Sequence, residues 1–232
     1  MSYFIVIPAR YKSSRFPGKL LEKINNESVI RHVYDRSCKS NASKIYIATD
    51  SNEIYEHCIK FSEHVHMTST ENRNGTERIA ELAKNKKWSS EQLVINVQGD
   101  MPFVPSSNID YLASCSSSSS LTTLYYPLSS NEAIENENIV KVQINTDSNK
   151  VIKFFRKYSN EDLTKTFRHI GIYSYTVKNL MSYVNYDLSI NEKNLKLEQY
   201  RFLDNNFTVK AYLAKDDPGI SIDTKSDIEN FI

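Results

Sequence analysis

The stretch Phe4-Ile5-Val6-Ile7-Pro8-Ala9-Arg10 decides the fold of this 232-residue chain. Its four consecutive apolar residues predict a strand that is buried on both faces, as the strands of a parallel sheet are. The twelve residues from Pro8 to Lys19 include four cations, two serines, a glycine and two prolines. A loop of this charge at the end of a buried strand predicts a binding site for an anion. On composition alone, a solvated basic loop is the alternative.

Strand and helix patterns alternate after this first strand. Further strands are predicted over residues 44–50, 65–68 and 93–97, and helices over 28–40, 52–61 and 77–86, with Ser28 and Thr76 as N-caps. Regular alternation predicts right-handed crossovers and a parallel sheet, and therefore an α/β fold. Such sheets bind ligands at the carboxyl ends of their strands, where the strand order switches. We therefore expect the loops after the first, third and fourth strands to line one cleft.

The second half of the chain is less regular. Its patterns predict helices over residues 106–113, 177–184 and about 191–203, a final helix capped by Thr224, and strands over 121–126, 139–144, 151–155, 167–175 and 208–213. The segment Thr146-Asp147-Ser148-Asn149 is typical of a hairpin turn. No repeat and no convincing linker divides the sequence, so residues 1–232 are predicted to form a single domain.

The bulk composition excludes several classes of protein. The formal net charge is +1, which argues against a general nucleic-acid coat or a polybasic membrane binder. The cysteines Cys38, Cys58 and Cys115 are widely spaced and match no disulfide or metal-site pattern, so a reducing compartment is expected. No apolar stretch reaches the roughly 18 residues of a membrane span, and the apolar start is too short for a signal peptide. We expect a cytoplasmic protein with neither nucleic acid nor a membrane as its partner.

The first loop lacks the spacing of two nucleotide-binding motifs. Neither G-x-x-x-x-G-K-[ST] nor G-x-G-x-x-G occurs in the sequence, so neither P-loop hydrolysis of a nucleotide nor dinucleotide binding is indicated. A phosphate site built on arginine and lysine remains, since arginine makes bidentate contacts with phosphate and lysine acts as a point charge. Pro8 and Pro17 stiffen the loop and lower the entropy that is lost when the loop binds.

Two carboxylates follow apolar runs at predicted strand ends. Asp100 comes directly after Gly99, and Asp223 precedes Thr224. Each could be a turn residue or a helix cap when taken singly. Together they could share a Mg²⁺ ion, which prefers one or two carboxylates plus phosphate oxygens and water. A basic loop with two such carboxylates is the minimum set for group transfer at a phosphorus centre.

Polar residues also occur within apolar patterns of the second half. His169 lies in a predicted strand, where a hydrogen-bonded core histidine is the usual case, although Arg168 and Gly171 make an anion-binding strand edge the alternative. The residues Glu198-Gln199 and Arg201 lie in a predicted helix and indicate only a polar face.

Taken together, the motifs resemble those of the sugar-acid cytidylyltransferases, and most of all those of the members that use 3-deoxy-D-manno-octulosonate (Kdo). The similarity runs in order through essentially the whole chain. It rests on seven segments, none of them specific alone: Ile7 to Lys19, Met67-Thr68-Ser69, Gly75-Thr76-Glu77-Arg78, Val97-Gln98-Gly99-Asp100, Arg168-His169-Ile170-Gly171-Ile172-Tyr173, Leu197-Glu198-Gln199 and Ile222-Asp223-Thr224.

The resemblance implies a reaction, a fold and a quaternary state. The reaction would transfer CMP from CTP to the anomeric hydroxyl of Kdo and release pyrophosphate, for lipopolysaccharide synthesis. The fold would be a Rossmann-like, mixed but mainly parallel sheet flanked by helices, as in nucleotide-diphospho-sugar transferases. It would comprise a CTP-binding core at about 1–125, a small sugar-binding and dimerisation region at about 126–215, and a return to the core at 216–232. The protein would be a homodimer.

The resemblance also implies roles for individual residues. The catalytic residues would be Arg10, Lys19 and Asp100, and Mg²⁺, the expected cofactor, would be bound by Asp100 and Asp223. CTP would be bound by Pro8, Ala9, Arg10, Ser14, Arg15, Lys19, Arg78 and Gln98. The sugar acid would be bound by Gln98, Arg156, His169, Tyr173, Glu198 and Gln199. No residue is assigned as a separate general base.

Three departures from the family pattern leave alternatives open. Met101 follows Asp100 where the family usually has a glutamate, and Asn74 replaces a common serine. The segment Phe155-Arg156-Lys157-Tyr158 replaces a usual Ser-Arg-Ser-Pro-Ile-Pro. A cytidylyltransferase for a related acid, such as 8-amino-Kdo or a nonulosonate, is therefore one alternative. A catalytically silent nucleotide-sugar binding protein is another, although Arg10, Lys19, Asp100 and Asp223 are all present.

Overall fold

The computed structural model describes residues 2–13, 15–128, 134–159 and 161–229. Its strands are β1 (Tyr3–Ala9), β2 (Lys23–Ile24), β3 (Glu27–Ser28), β4 (Lys44–Thr49), β5 (Val65–Met67), β6 (Leu93–Val97), β7 (Leu121–Tyr126), β8 (Lys141–Asn145), β9 (Lys150–Phe155), β10 (Thr166–Thr176) and β11 (Val209–Leu213). Its helices are α1 (Val29–Cys38), α2 (Asn52–Cys58), α3 (Gly75–Asn85), α4 (Ser106–Ser114), α5 (Val177–Asn185), α6 (Ile190–Leu195), α7 (Tyr200–Asp204) and α8 (Lys225–Glu229).

Nine strands form one mixed sheet in the order β5-β4-β1-β6-β10-β7-β11-β9-β8. Within this sheet β5, β4, β1 and β6 are parallel, β10 runs antiparallel to its neighbours β6 and β7, and β11 is parallel to β7. The short strands β2 and β3 pair antiparallel in a separate sheet. From β1 the chain moves outward through β4 to β5 and then returns to the other side of β1 as β6. The strand order therefore switches between β1 and β6, and a crevice opens at their carboxyl ends.

The first strand is buried on both faces, as its apolar run predicts. Ile5 and Ile7 pack in one hydrophobic layer with the apolar faces of α1, α2 and α4, whereas Val6 packs in the opposite layer with those of α3 and α5. These three side chains have no exposed surface. Burial of each such side chain contributes about 1.5–3 kcal/mol to stability, so β1 is the central support of the loop that follows it.

Two predicted helix ends have different outcomes. Ser28 caps α1, because its hydroxyl accepts a hydrogen bond from the Arg31 amide at 3.3 Å, as predicted. The prediction that Thr76 caps the helix α3 is wrong. The side chain of Asn74 caps α3 by accepting from the Glu77 amide at 2.9 Å, and the helix begins at Gly75. Thr76 therefore lies inside the first turn of α3, and its amide donates to the carboxylate of Glu198.

The predicted helix over 191–203 is two short helices, α6 and α7. Lys196 has a left-handed backbone with φ 54°, which ends α6, and Leu197 to Gln199 form a turn before α7. The sequence offers no glycine at this point, so the usual signal for a left-handed residue is missing. Because of the break, Glu198 and Gln199 leave the helical face and line the crevice.

The strands of the two predicted regions belong to the same sheet. The boundary near 125 falls inside β7, and β11, from the predicted sugar-binding and dimerisation region, pairs with β7 along its length. The division into a core and a dimerisation region stays a prediction. Among the described helices, none combines the length and the apolar character that crossing a membrane requires.

Candidate active site

A cleft of about 740 Å³ lies at the carboxyl ends of β1 and β6. It is lined by the first loop, the first turn of α3, the loop after β6, part of β10, and the segments 197–199 and 220–223. Within the described residues, every predicted site residue lines this cleft: Pro8, Ala9, Arg10, Arg15, Lys19, Arg78, Gln98, Asp100, Arg156, His169, Tyr173, Glu198, Gln199 and Asp223. The remaining one, Ser14, lies outside the described residues. The roles of these side chains stay predictions.

Two glycines allow the first loop to pack closely against its neighbours. A Cβ atom added at Gly75 would lie 3.0 Å from the Pro8 ring and 3.3 Å from the Gln98 amide nitrogen. One added at Gly99 would lie 3.0 Å from the carbonyl oxygen of Pro8. These contacts fix the start of the loop between α3 and the end of β6.

Lys19 joins the two carboxylates that the sequence pairs as metal ligands. Its ammonium nitrogen lies 2.6 Å from Asp100 Oδ2 and 3.5 Å from Asp223 Oδ1, and it donates to the carbonyl oxygen of Ile222 at 2.7 Å. The lysine is only 9% exposed. An ammonium group that is nearly buried needs such partners, and here it has two carboxylates and a carbonyl oxygen within hydrogen-bonding distance.

Arg15 makes a second contact with this carboxylate pair. One of its guanidinium nitrogens lies 2.6 Å from Asp223 Oδ1, and the other donates to Asn138 Oδ1 at 2.8 Å. The arginine side chain is 44% exposed, so its ion pair is weaker than that of Lys19. Two cations of the first loop thus face two carboxylates from distant parts of the chain.

The donor set at Asp100 and Asp223 fits Mg²⁺. Both side chains line the cleft and contact the same ammonium group, so they are close together. Among the described residues, there is no group of three or more His, Cys, Asp or Glu side chains that could hold a metal by itself. Mg²⁺ commonly uses only one or two carboxylates and takes its other ligands from substrate phosphates and water. The ion stays a prediction.

Arg78 and Gln98 lie deeper in the cleft. The Arg78 side chain is buried and donates to Thr68 Oγ1 and, at 2.7 Å, to Asp50 Oδ2. It therefore ties α3 to the ends of β4 and β5. Gln98 donates from its side-chain amide to Asn96 Oδ1 at 3.3 Å. Their contacts with the nucleoside stay predictions.

His169 is buried and neutral. Its Nε2 lies 3.0 Å from the Thr123 hydroxyl, and its ring packs 4.8 Å from the ring of Phe154 and 5.6 Å from that of Tyr173. Burial, with a smaller effect of the nearby Arg156 charge, lowers the pKa of the imidazole to about 3. His169 is thus a hydrogen-bonded core histidine, the usual case, and it also lines the cleft. The anion-binding strand edge stays a prediction.

Glu198 faces the first turn of α3 from the opposite wall. Its Oε2 accepts a hydrogen bond from the Thr76 amide at 3.4 Å. Burial raises the pKa of this carboxyl to about 7, although the bonds to Thr76 and the charge of Arg10 act the other way. Beside it, Gln199 Oε1 accepts from the hydroxyl of Tyr173 at 3.4 Å. This wall of the cleft can therefore exchange a proton near neutral pH.

Arg156 lies at the rim and is held by the backbone. Its guanidinium donates to the carbonyl oxygens of Glu137 and Asn138 at 3.1 and 3.3 Å. The buried Lys141, which the sequence analysis missed, donates to the carbonyl oxygens of Asn136 and Arg156 at 2.6 and 2.7 Å. Lys141 thereby anchors the rim segment that carries Asn138. A lysine in a short predicted strand gives no signal of such burial.

The interpretation of Arg201 as part of a polar face is also wrong. The side chain has no exposed surface and donates two hydrogen bonds to Glu192, at 2.6 and 2.7 Å, and one to Glu77 at 2.9 Å. Its guanidinium also lies 4.2 Å from the ring centre of Tyr183. The sequence signal for this cluster is weak, because Glu192 and Arg201 are nine positions apart, which is not a spacing that brings two side chains together on one helix.

The fold and the charged cleft at its switch point are typical of nucleotide-binding α/β enzymes. A family model for cytidylyltransferases matches residues 4–213, and the chain belongs to the cytidylyltransferase family. Among its relatives is the 3-deoxy-manno-octulosonate cytidylyltransferase of Legionella pneumophila. That protein is 37% identical over 236 residues, which cover 98% of this chain and 94% of the relative.

Solved structures agree with this assignment. The structure of CMP:2-keto-3-deoxy-manno-octonic acid synthetase complexed with CTP has a TM-score of 0.87 and 28% identity, covering 99% of this chain and 96% of that chain. The 4-diphosphocytidyl-2C-methyl-D-erythritol synthase shares the fold alone, with a TM-score of 0.68 at 10% identity over 99% and 97% of the two chains. The predicted α/β fold, a large sheet flanked by helices, is therefore confirmed.

Proposed function

We propose that the protein transfers CMP from CTP to the anomeric hydroxyl of Kdo and releases pyrophosphate. The observation that carries the proposal is one cleft with two unlike walls. One wall has the cations of the first loop and the pair Asp100 and Asp223, and the other has the buried polar groups around His169 and Glu198. Names of relatives that are similar over nearly the whole chain support the same reaction.

The proposed step is a displacement at the α-phosphorus of CTP. The anomeric oxygen forms a bond to this phosphorus as the bond to the oxygen that leads to the β-phosphorus breaks. Pyrophosphate leaves with that oxygen and its electron pair, and the hydroxyl proton is released. The protein forms no covalent bond to the substrates in this step. The rate therefore depends mainly on alignment of the reactants and on stabilisation of the phosphate charge.

The first loop would stabilise the triphosphate. In this proposal Arg10, Arg15 and Lys19 hold the β- and γ-phosphates, where negative charge accumulates as pyrophosphate departs. Mg²⁺, held by Asp100 and Asp223, would neutralise further charge on the same phosphates. The contacts of Lys19 with both carboxylates support this arrangement, because they bring the cation and the proposed metal ligands to one point.

The opposite wall would bind the sugar acid. Arg156 supplies the positive charge that a carboxylate needs, and the remaining groups are neutral hydrogen-bonding partners for hydroxyls: Gln98, His169, Tyr173 and Gln199, with Glu198 able to take either form. Because His169 stays neutral, its ring can accept or donate one hydrogen bond without adding charge.

Met101 is the observation that favours a second candidate acceptor. It lies beside β10, where its sulfur would be 3.6 Å from a Cβ atom placed on Gly171, and it lines the same cleft. An apolar side chain there offers no charge to a metal and no hydrogen bond to a hydroxyl. A related acid, such as 8-amino-Kdo or a nonulosonate, is therefore the second candidate acceptor.

We further propose that the enzyme is a homodimer in the cytoplasm and supplies CMP-Kdo to lipopolysaccharide synthesis. Three apolar side chains of the predicted dimerisation region are exposed, Ile152, Leu163 and Ile190, and substitution of each by serine would show whether a second subunit covers it. Light scattering of the purified chain tests the dimer, and a monomer at micromolar concentration would contradict it.

The deciding experiment measures pyrophosphate release from CTP and Mg²⁺ with a panel of sugar acids. We expect release with Kdo, formation of CMP-Kdo by mass spectrometry, and loss of both when EDTA is added. Release only with other acids would replace Kdo by the second candidate. A folded protein that binds CTP but releases no pyrophosphate with any acid would instead be a silent nucleotide-sugar binder.

A further inference from the structure

Five residues form a closed ring of hydrogen bonds and ion pairs beside Glu198, and two of them, Asn74 and Glu192, also line the cleft. The members of this buried ring are Asn74, Glu77, Arg201, Glu192 and Tyr183. They come from the loop before α3, from α3 itself, and from α5, α6 and α7. The ring therefore joins α3 to the segment that carries Glu198 and Gln199.

The ring closes through alternating donors and acceptors. Asn74 accepts from the Glu77 amide at 2.9 Å, and Glu77 Oε1 accepts from Arg201 at 2.9 Å. Arg201 holds Glu192 with two bonds, and Glu192 accepts from the Tyr183 hydroxyl at 3.4 Å. The Asn74 side-chain amide then donates to the Tyr183 oxygen at 2.8 Å. Asn74 thus caps α3 with its side-chain oxygen and donates to Tyr183 with its side-chain nitrogen. Only a side-chain amide offers both an acceptor and a donor of this kind.

Two residues of the ring contact the Glu198 carbonyl oxygen. The Arg201 backbone amide donates to it at 3.1 Å, and the Tyr183 hydroxyl oxygen lies 3.4 Å from it, so the single hydroxyl proton has this oxygen and Glu192 as alternative acceptors. These contacts hold the turn after Lys196, and this turn aims the Glu198 carboxyl at the Thr76 amide of α3. Both ends of that contact are therefore attached to the ring.

We propose that Arg201 is a positioning residue for the sugar-acid subsite, acting through the buried ring to hold Glu198 against the first turn of α3. The inference rests on the proposed function only for the identity of the ligand. A guanidinium with two planar bonds to Glu192 and a third to Glu77 sets both distance and angle between α3 and α6. Lysine offers the charge but not this geometry.

The main test compares Arg201→Lys and Tyr183→Phe with the wild-type chain. We expect KM for the sugar acid to rise roughly tenfold in each while KM for CTP changes less than about twofold, since small displacements of a binding group have effects of this order. Tyr183→Phe keeps every charge of the ring, so it remains informative if Arg201→Lys does not fold. Tyr3→Phe is the matched control, because it removes another buried tyrosine hydroxyl, one bonded to Asp110 outside the cleft.

Amide hydrogen exchange supplies a readout that needs no turnover. We expect exchange to become faster at Thr76 and over residues 196–201 in both ring variants, and to stay unchanged in Tyr3→Phe. Unchanged exchange in folded Tyr183→Phe, or an equal rise in KM for both substrates, would overturn the positioning role. If the wild-type chain uses no sugar acid, the proposed function fails, whereas the exchange result still decides whether the ring holds Glu198.

Discussion

The two walls of the cleft obtain their chemistry in different ways. The nucleotide wall consists of Arg15, Lys19, Asp100 and Asp223, whose charges face opposite charges at 2.6 to 3.5 Å. The acceptor wall consists of His169, Tyr173, Glu198 and Gln199, whose hydrogen-bonding partners are neutral. On the first wall the residue types determine the electrostatics, whereas on the second wall burial does. Substitutions on the first should therefore change charge balance, and those on the second should change fit and protonation.

The largest expected effect comes from the nucleotide wall. Asp100→Asn keeps the size of the side chain but removes a charge that faces Lys19 and, in the proposed function, a metal ligand. We expect kcat to fall by roughly 10²–10³, the cost of losing one charge-stabilising group in a transfer reaction. Steady-state kinetics and circular dichroism check the result. The matched control is Asp35→Asn on α1, which breaks only an ion pair with Arg31. Normal turnover of a folded Asp100→Asn variant would rule out the role of Asp100 as a metal ligand.

Lys19→Ala should produce a smaller loss that is specific for the nucleotide. One charged hydrogen bond to phosphate is worth about 1.5–3 kcal/mol, so we expect KM for CTP to rise roughly 10- to 100-fold. KM for the sugar acid should change much less, because the acceptor wall does not contact Lys19. Lys23→Ala, at an exposed position on β2, controls for the loss of a surface charge. An unchanged KM for CTP would count against the triphosphate site.

Tyr173→Phe tests the acceptor wall with a smaller effect. It removes the hydroxyl that donates to Gln199 at 3.4 Å. A neutral hydrogen bond contributes about 0.5–1.5 kcal/mol, so KM for the sugar acid should rise roughly 2- to 10-fold, with KM for CTP unchanged. The control Tyr200→Phe removes a buried hydroxyl that donates to the Phe154 backbone. If the two variants have the same kinetics, Tyr173 has no special place in the subsite.

The smallest expected effect is a pH dependence of stability caused by Glu198. Its pKa of about 7 in the folded protein is higher than that of an unfolded glutamate, because the folded state buries it. When the pH lies between the unfolded and the folded pKa, folding is coupled to uptake of a proton by Glu198. The contribution of Glu198 to stability is therefore present at low pH and is lost as the pH rises through 7. We expect Tm to fall by a few degrees more between pH 5 and pH 8 in the wild type than in Glu198→Gln. Glu91→Gln, at an exposed position, should behave as the wild type.

Sequence patterns predicted the nucleotide wall better than the acceptor wall, for physical reasons. The apolar runs at β1 and β6 and the charges of the first loop are properties of neighbouring residues, so Asp100 could be placed at the end of a strand and Lys19 in the loop after β1. The turn at Lys196 depends on a left-handed residue that is not glycine, and it was missed. The burial of Arg201 depends on Glu77, which is 124 positions away.

The same limit applies to the cap of α3 and to the protonation of the acceptor wall. Thr76 is a good capping residue by type, but Asn74 precedes it and has a partner in Tyr183 that no local pattern reveals. The low pKa of His169 and the high pKa of Glu198 follow from burial, which only the packed structure determines. The family resemblance identified these residues as candidates for the site. Their protonation states could be assigned only once their burial in the folded protein was known.

The three-way contact of Lys19 also has a consequence for how the protein is made. Asp100 follows Lys19 by 81 positions, whereas Asp223 follows it by 204. A nascent chain emerges from the ribosome amino end first, so Lys19 can pair with Asp100 well before Asp223 has emerged. Intermediates of synthesis would therefore hold the Lys19–Asp100 pair without its second carboxylate, and the cleft is completed late in folding.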